Sequence, residues 1–117
     1  FGLSDVGGPS AGMMFALGLV DKITPGALTG SKDIAGTGTI NMDGQVGPIG
    51  GIQQKIAGAH GAGSKFFLAP ASNCDEVKGH EPEGMQVFAV STLHEAVTAT
   101  EAIASGNTSG LPTCSAR

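Results

Sequence analysis

From residue 36 to residue 55 the chain reads GTGTINMDGQVGPIGGIQQK, and its pattern changes three times within those positions. Entered from Ile34, the first part sets apolar residues against small ones as far as Met42, which reads as a strand. Asp43-Gly44 is a two-residue hairpin signal, because a type I′ turn needs positive φ at both central positions. Gln45 to Ile49 is then the return strand. Gly50-Gly51 opens a helix to about Ala62, with Ile52, Ile56 and Ala59 on one face.

Upstream, Phe1 to Val6 read as the end of a strand that runs into a Gly7-Gly8-Pro9 turn. A helix is expected from Pro9 to about Ile23, where Met13, Leu17 and Val20 recur at helical spacing and Thr24-Pro25-Gly26 stops the pattern. Downstream, Lys65 to Ala69 is a short buried strand, a brief helix follows from Pro70 to near Gly79, and Met85 to Val90 is a further strand. Ser91 or Thr92 caps a last helix, with Glu95 as the capping-box carboxylate. The order of elements predicts an α/β fold, with helices packed on a mixed sheet that includes a β-hairpin. From Ser105 the chain is rich in Gly, Ser, Thr and Pro and reads as a loose tail.

Composition removes several classes of function. Gly makes up 20 of the 117 residues, aromatic residues 4% and charged residues 14%, the last well below the roughly 25% usual for a soluble domain. The glycine has no period of three, so the chain is not collagen-like, and 40% apolar residues suffice for a modest core. No apolar run approaches the roughly 18 residues of a membrane span, and no basic-then-apolar leader pattern opens the chain. Net charge is −4, and Lys22, Lys32, Lys55, Lys65, Lys78 and Arg117 are scattered rather than clustered, which argues against a nucleic-acid partner. The two cysteines, Cys74 and Cys114, have no zinc-ligand spacing; two unpaired thiols is the simpler reading and a single bridge the other.

Two positions carry chemistry. Ser10, in Gly8-Pro9-Ser10-Ala11-Gly12, stands at the start of the first helix, where backbone N–H groups are free and the helix dipole favours a developing oxyanion. Taken alone, it is equally a helix N-cap. Lys55 lies on the same helical side as Ile52 and Ala59; partial desolvation there would disfavour its ammonium form and suit it to act as a general base. Taken alone, it is a lysine whose head reaches water. The Gly-x-Ser-x-Gly pattern also matches the nucleophile elbow of α/β-hydrolases, which would need an acid and one of His60, His80 or His94; the chain is short for that sheet, and Pro9 suits a helix start better than a strained elbow. The Gly-rich runs at 36–38 and 47–51 do not form a Walker A loop, so no nucleotide site is expected, nor any other cofactor or metal.

GGPSAG at 7–12, the 36–55 stretch, and the FFLAP strand followed by Asn73-Cys74 together resemble the Lon protease proteolytic domain, over roughly residues 5–98. The likeness is greatest to the subfamily in which a membrane-anchored PDZ module precedes a Lon-type domain without an ATPase. The resemblance implies a serine endopeptidase with Ser10 as nucleophile, Lys55 as general base and the Thr37 hydroxyl orienting the lysine, the backbone N–H groups of Ser10 and Ala11 holding the oxyanion. It implies a polypeptide substrate, ATP-independence within this chain, a ring-like homo-oligomer, an upstream PDZ module, and a place outside the cytoplasm. Two departures accompany it. Gly7 stands where many Lon domains carry an acidic residue, Asp5 being the nearest carboxylate, and the family domain is longer at its N-terminus. Residues 1–104 are thus expected to be the C-terminal catalytic part of a Lon-type domain, and 105–117 a flexible tail. The alternative is a Lon-like assembly or interaction domain without catalysis, or an inactive fragment.

Overall fold

The computed structural model describes residues 12–14, 16 and 34–114. The expected first helix falls largely outside them; residues 12–14 and Ala16 are helical. The remaining elements are β1 (Ile34–Gly36), β2 (Thr39–Ile40), β3 (Val46–Gly47), α1 (Ile52–Gly61), β4 (Phe66–Pro70), a 3-10 turn (Ala71–Asn73), α2 (Cys74–Val77), β5 (Gln86–Val90) and α3 (Leu93–Ser105).

β4 is the central strand. It pairs in parallel with β1, from Ile34–Phe66 to Gly36–Leu68, and with β5, from Phe66–Gln86 to Pro70–Val90. Parallel neighbours require crossovers, which here carry α1 and α2 to one face, while α3, which follows β5, covers the other, so β4 and β5 are apolar on both sides instead of alternating with polar residues. Two core layers result from that alternation of faces. Phe67, Ala69, Val87 and Ala89 meet Ile52 and Ile56 of α1 and Val77 of α2 on one side. Leu68, Phe88 and Val90 meet Ala96, Ala99 and Ile103 of α3, together with Met13 and Val46, on the other. Burying one such large side chain stabilises the fold by about 1.5–3 kcal/mol relative to leaving it in water.

The strand expected over Ile34 to Met42 is broken at Thr37-Gly38. Before the break the chain follows β4, and the Thr37 N–H still donates to the Leu68 carbonyl at 3.1 Å; after it, β2 pairs antiparallel with β3. Among the described residues the strands therefore form a parallel three-stranded unit beside a separate two-stranded hairpin. The hairpin loop holds three residues rather than two. The Gly44 N–H donates to the Asn41 carbonyl at 3.0 Å, Gly44 itself has φ +80°, and the Asn41 carboxamide oxygen accepts from the N–H groups of Asp43 and Gln45, both at 2.9 Å. An Asx-type cap at Asn41 sets this loop, a competing signal to the Asp43-Gly44 pair.

α3 begins as expected: the Thr92 hydroxyl accepts from the Glu95 N–H at 3.0 Å, and the Glu95 carboxylate accepts from the Ser91 N–H at 2.6 Å. The segment after α3, residues 106–114, is docked and not the loose tail expected from its composition. Leu111 packs on the α3 side of the sheet, the Ala89 N–H donates to the Pro112 carbonyl at 2.9 Å, and Thr113 forms an antiparallel bridge with Phe88. Cys114 is fully buried on the opposite face. The expectation of two unpaired thiols is likewise overturned: Cys74 and Cys114 form a disulfide, with their Cα atoms 4.8 Å apart. The physical reason is the same for both. The described part of the tail wraps around the β5 edge and brings Cys114 beside the start of α2, a juxtaposition that spacing along the chain does not encode.

The bridge closes a loop with a sequence separation of 40, for which chain-entropy arguments give about 4 kcal/mol of stabilisation. Reduction with dithiothreitol is expected to lower the urea midpoint of the wild-type chain markedly and to leave a Cys74→Ala/Cys114→Ala variant unmoved. Equal midpoints for the oxidised and reduced wild type would contradict a bracing role.

Candidate functional site

Of the four residues expected to form the site, Ser10 and Ala11 lie outside the described residues. Thr37 and Lys55 are described, and so is the chain from two positions beyond Ser10.

That chain is docked tightly. The Met13 N–H donates to the Gly38 carbonyl at 2.9 Å, and Met13 is fully buried. A Cβ added at Gly12 would stand 3.0 Å from Cγ2 of Ile40, and one at Gly36 would stand 2.9 Å from Sδ of Met14 and 3.0 Å from the Leu68 carbonyl oxygen. Gly36 is therefore the point at which helix, β1 and β4 meet with no room for a side chain. The next residue, Thr37, is buried at 4% exposure in the break between β1 and β2. Residues 12–14 and the Thr37 segment thus form one packed unit.

Lys55 stands in the first turn of α1, its N–H donating to the Gly51 carbonyl at 3.0 Å. Gly51 caps the helix with φ +73°, a left-handed conformation that disfavours any residue with a Cβ. Ile52 and Ile56 are buried as expected, and Ala59 packs against the same cluster. The desolvation expected for Lys55 is not found, because Lys55 is exposed. Helical geometry supplies the reason. At about 100° per residue, Lys55 falls on the flank of the Ile52–Ile56–Ala59 stripe and not on its centre. His60, His80 and His94 are also exposed; the His60 Nε2 lies 3.1 Å from the Glu83 carbonyl oxygen. Among the described residues no group of three or more His, Cys, Asp or Glu could hold a metal ion, and no helix is long and apolar enough to cross a membrane.

One residue of this region carries no role that its sequence context would suggest. Asn73 is 1% exposed, and its carboxamide is hydrogen-bonded on both sides to Ile49, just ahead of α1. A buried Asn needs partners for its acceptor and its donors, which is a signal only once burial is known.

The family model for the Lon protease (S16) C-terminal proteolytic domain matches residues 3–102. Lon protease 1 of Sorangium cellulosum is 40% identical over 93 residues, 77% of this chain and 11% of that protein. Lon protease 1 of Bacillus subtilis is 37% identical over 91 residues (75% and 12%), and Lon protease of Campylobacter concisus 36% over 92 (75% and 11%). The chain therefore spans about a tenth of the length of these curated relatives.

The close packing at Gly36 predicts that Gly36→Ala lowers stability by about 1–3 kcal/mol, since the Leu68 carbonyl oxygen cannot swing aside as a methionine can. An unchanged thermal unfolding midpoint would contradict the contact.

Proposed function

The chain belongs to the Lon C-terminal proteolytic domain family, and from that premise we propose that it is a serine peptidase acting on polypeptide through a Ser10–Lys55 dyad. The observation that carries this reading is the presence of both residues, in order, inside the matched span 3–102.

Lys55 Nζ takes the hydroxyl proton of Ser10 as the oxygen attacks the scissile carbonyl. The backbone N–H groups of Ser10 and Ala11 stabilise the oxyanion that forms. The tetrahedral intermediate collapses with cleavage of the C–N bond, and the Lys55 ammonium returns its proton to the departing amine. A water molecule then attacks the acyl ester, with Lys55 again accepting the proton, and Ser10 is regenerated. Thr37, on the strand break beside residues 12–14, orients the lysine through its hydroxyl. The proton acceptor must be a neutral amine; with Lys55 exposed, the bound polypeptide itself supplies the cover that excludes water. No step requires ATP, and the chain contains no Walker A loop. Assembly into a homo-oligomer, and an upstream PDZ module in the full-length protein, belong to the same proposal.

The exposure of Lys55 also favours a second reading, an assembly or interaction domain in which the dyad is not used. Hydrolysis of an internally quenched peptide separates the two. Ser10→Ala and Lys55→Met are each expected to lower kcat/KM by about a thousandfold or more, while His60→Ala, His80→Ala and His94→Ala leave it within about twofold. Activity that survives Lys55→Met but disappears with a histidine would sink the dyad. A wild-type chain no faster than Ser10→Ala would favour the assembly reading.

A further inference from the structure

Asn73 closes the 3-10 turn that leaves β4, and its side chain reaches a segment 24 positions earlier. Oδ1 accepts from the Ile49 N–H at 3.0 Å, and Nδ2 donates to the Ile49 carbonyl at 3.0 Å. One carboxamide thus pairs with both backbone groups of a single residue, much as a neighbouring strand would. A second Nδ2 bond, to Glu76 Oε1 at 2.8 Å, fixes which way the amide faces. Two residues beyond Ile49 is Gly51, whose carbonyl receives the Lys55 N–H. α1 has no side-chain cap and no acidic residue in its first turn, so its entry is not held by the usual devices. A further tie from the same turn, Gln53 Nε2 to the Glu76 carbonyl at 3.0 Å, runs to the same short helix α2. Asn73 is itself immobilised on both sides: it lies three residues beyond the central strand and precedes Cys74, which is bonded to Cys114.

We propose that Asn73 is a positioning residue, which sets the first turn of α1 and through it the place of Lys55, with Glu76 holding the Asn73 amide in its working orientation. The proposal rests on the dyad reading for its catalytic consequence but not for its structural one. No other side chain of this size presents an acceptor and two donors in this arrangement. Aspartate would turn an acceptor towards both the Ile49 carbonyl and the Glu76 carboxylate.

The test uses the 117-residue chain with Asn73→Ala, Asn73→Asp and Asn73→Asp/Glu76→Gln, each checked for folding by circular dichroism. Amide hydrogen exchange is expected to show Lys55 and its neighbours in α1 losing protection about tenfold or more in Asn73→Ala, while β4 and β5 amides keep theirs. Peptide hydrolysis is expected to fall about 10- to 100-fold in kcat with KM within about twofold, because the lysine is displaced and not the substrate. Asn73→Asp should be at least as impaired, and Glu76→Gln on top of it should recover part of the protection and the rate, since the introduced amide can donate to the new carboxylate. Unchanged α1 protection in folded Asn73→Ala, or equal loss across β4 and β5, would overturn the positioning role. A wild-type chain that does not exceed Ser10→Ala in hydrolysis would instead overturn the dyad, and the exchange measurement would still judge the clamp.

Discussion

Both core layers are built on the parallel pairing of β4 with its two neighbours. A strand paired on both edges and covered on both faces cannot present a polar side chain without losing core, which is why Phe67, Leu68, Ala69 and Pro70 are all buried. That constraint sends α1 and α2 to one face and α3 to the other. It also brings the Gly36 end of β1 against Leu68, where the helical turn at 12–14 closes down. Parallel pairing also puts the Gly36 end of β1 and the Pro70 end of β4 at the same end of the sheet. Both the Thr37 segment and the turn that leads through Asn73 emerge from that end.

Local chemistry explains what could be read from the chain and what could not. The 36–55 stretch announced a hairpin and a helix because alternation, Gly44 and the Ile52–Ile56 spacing are all short-range signals. The Thr92–Glu95 cap was legible for the same reason. The three-residue loop was missed because the Asn41 carboxamide competes with the Asp43-Gly44 pair, and that competition is settled by hydrogen bonds rather than by residue type. Long-range facts were out of reach: the Cys74–Cys114 bond and the docked tail depend on which sheet edge the chain returns to.

The site shows the same division. Lys55 stands out by its place on the helical side of Ile52 and Ala59, yet its exposure differs from expectation because a stripe defined by three apolar residues has a flank as well as a centre. Asn73 illustrates the converse. Asn73 stands in the stretch that carries the family likeness, yet Pro-Ala-Ser-Asn reads locally only as the start of a brief helix, which assigns its side chain no partner. Its two-sided bonding to Ile49 becomes visible only when the 24-residue gap is closed by the fold. Family membership accounts for which residues are worth watching; the packing accounts for how they are held.

The docked tail has a consequence for how copies of this chain can meet. β5 would otherwise offer a row of unpaired backbone groups, the surface through which sheets of separate molecules fuse. Pro112 and Thr113 occupy part of that row, and the bond at Cys114 fastens the segment one residue further on. A second molecule seeking to extend the sheet there would first have to peel away a segment that is covalently anchored. Where Pro112 and Thr113 lie along β5, the sheet edge is closed to growth.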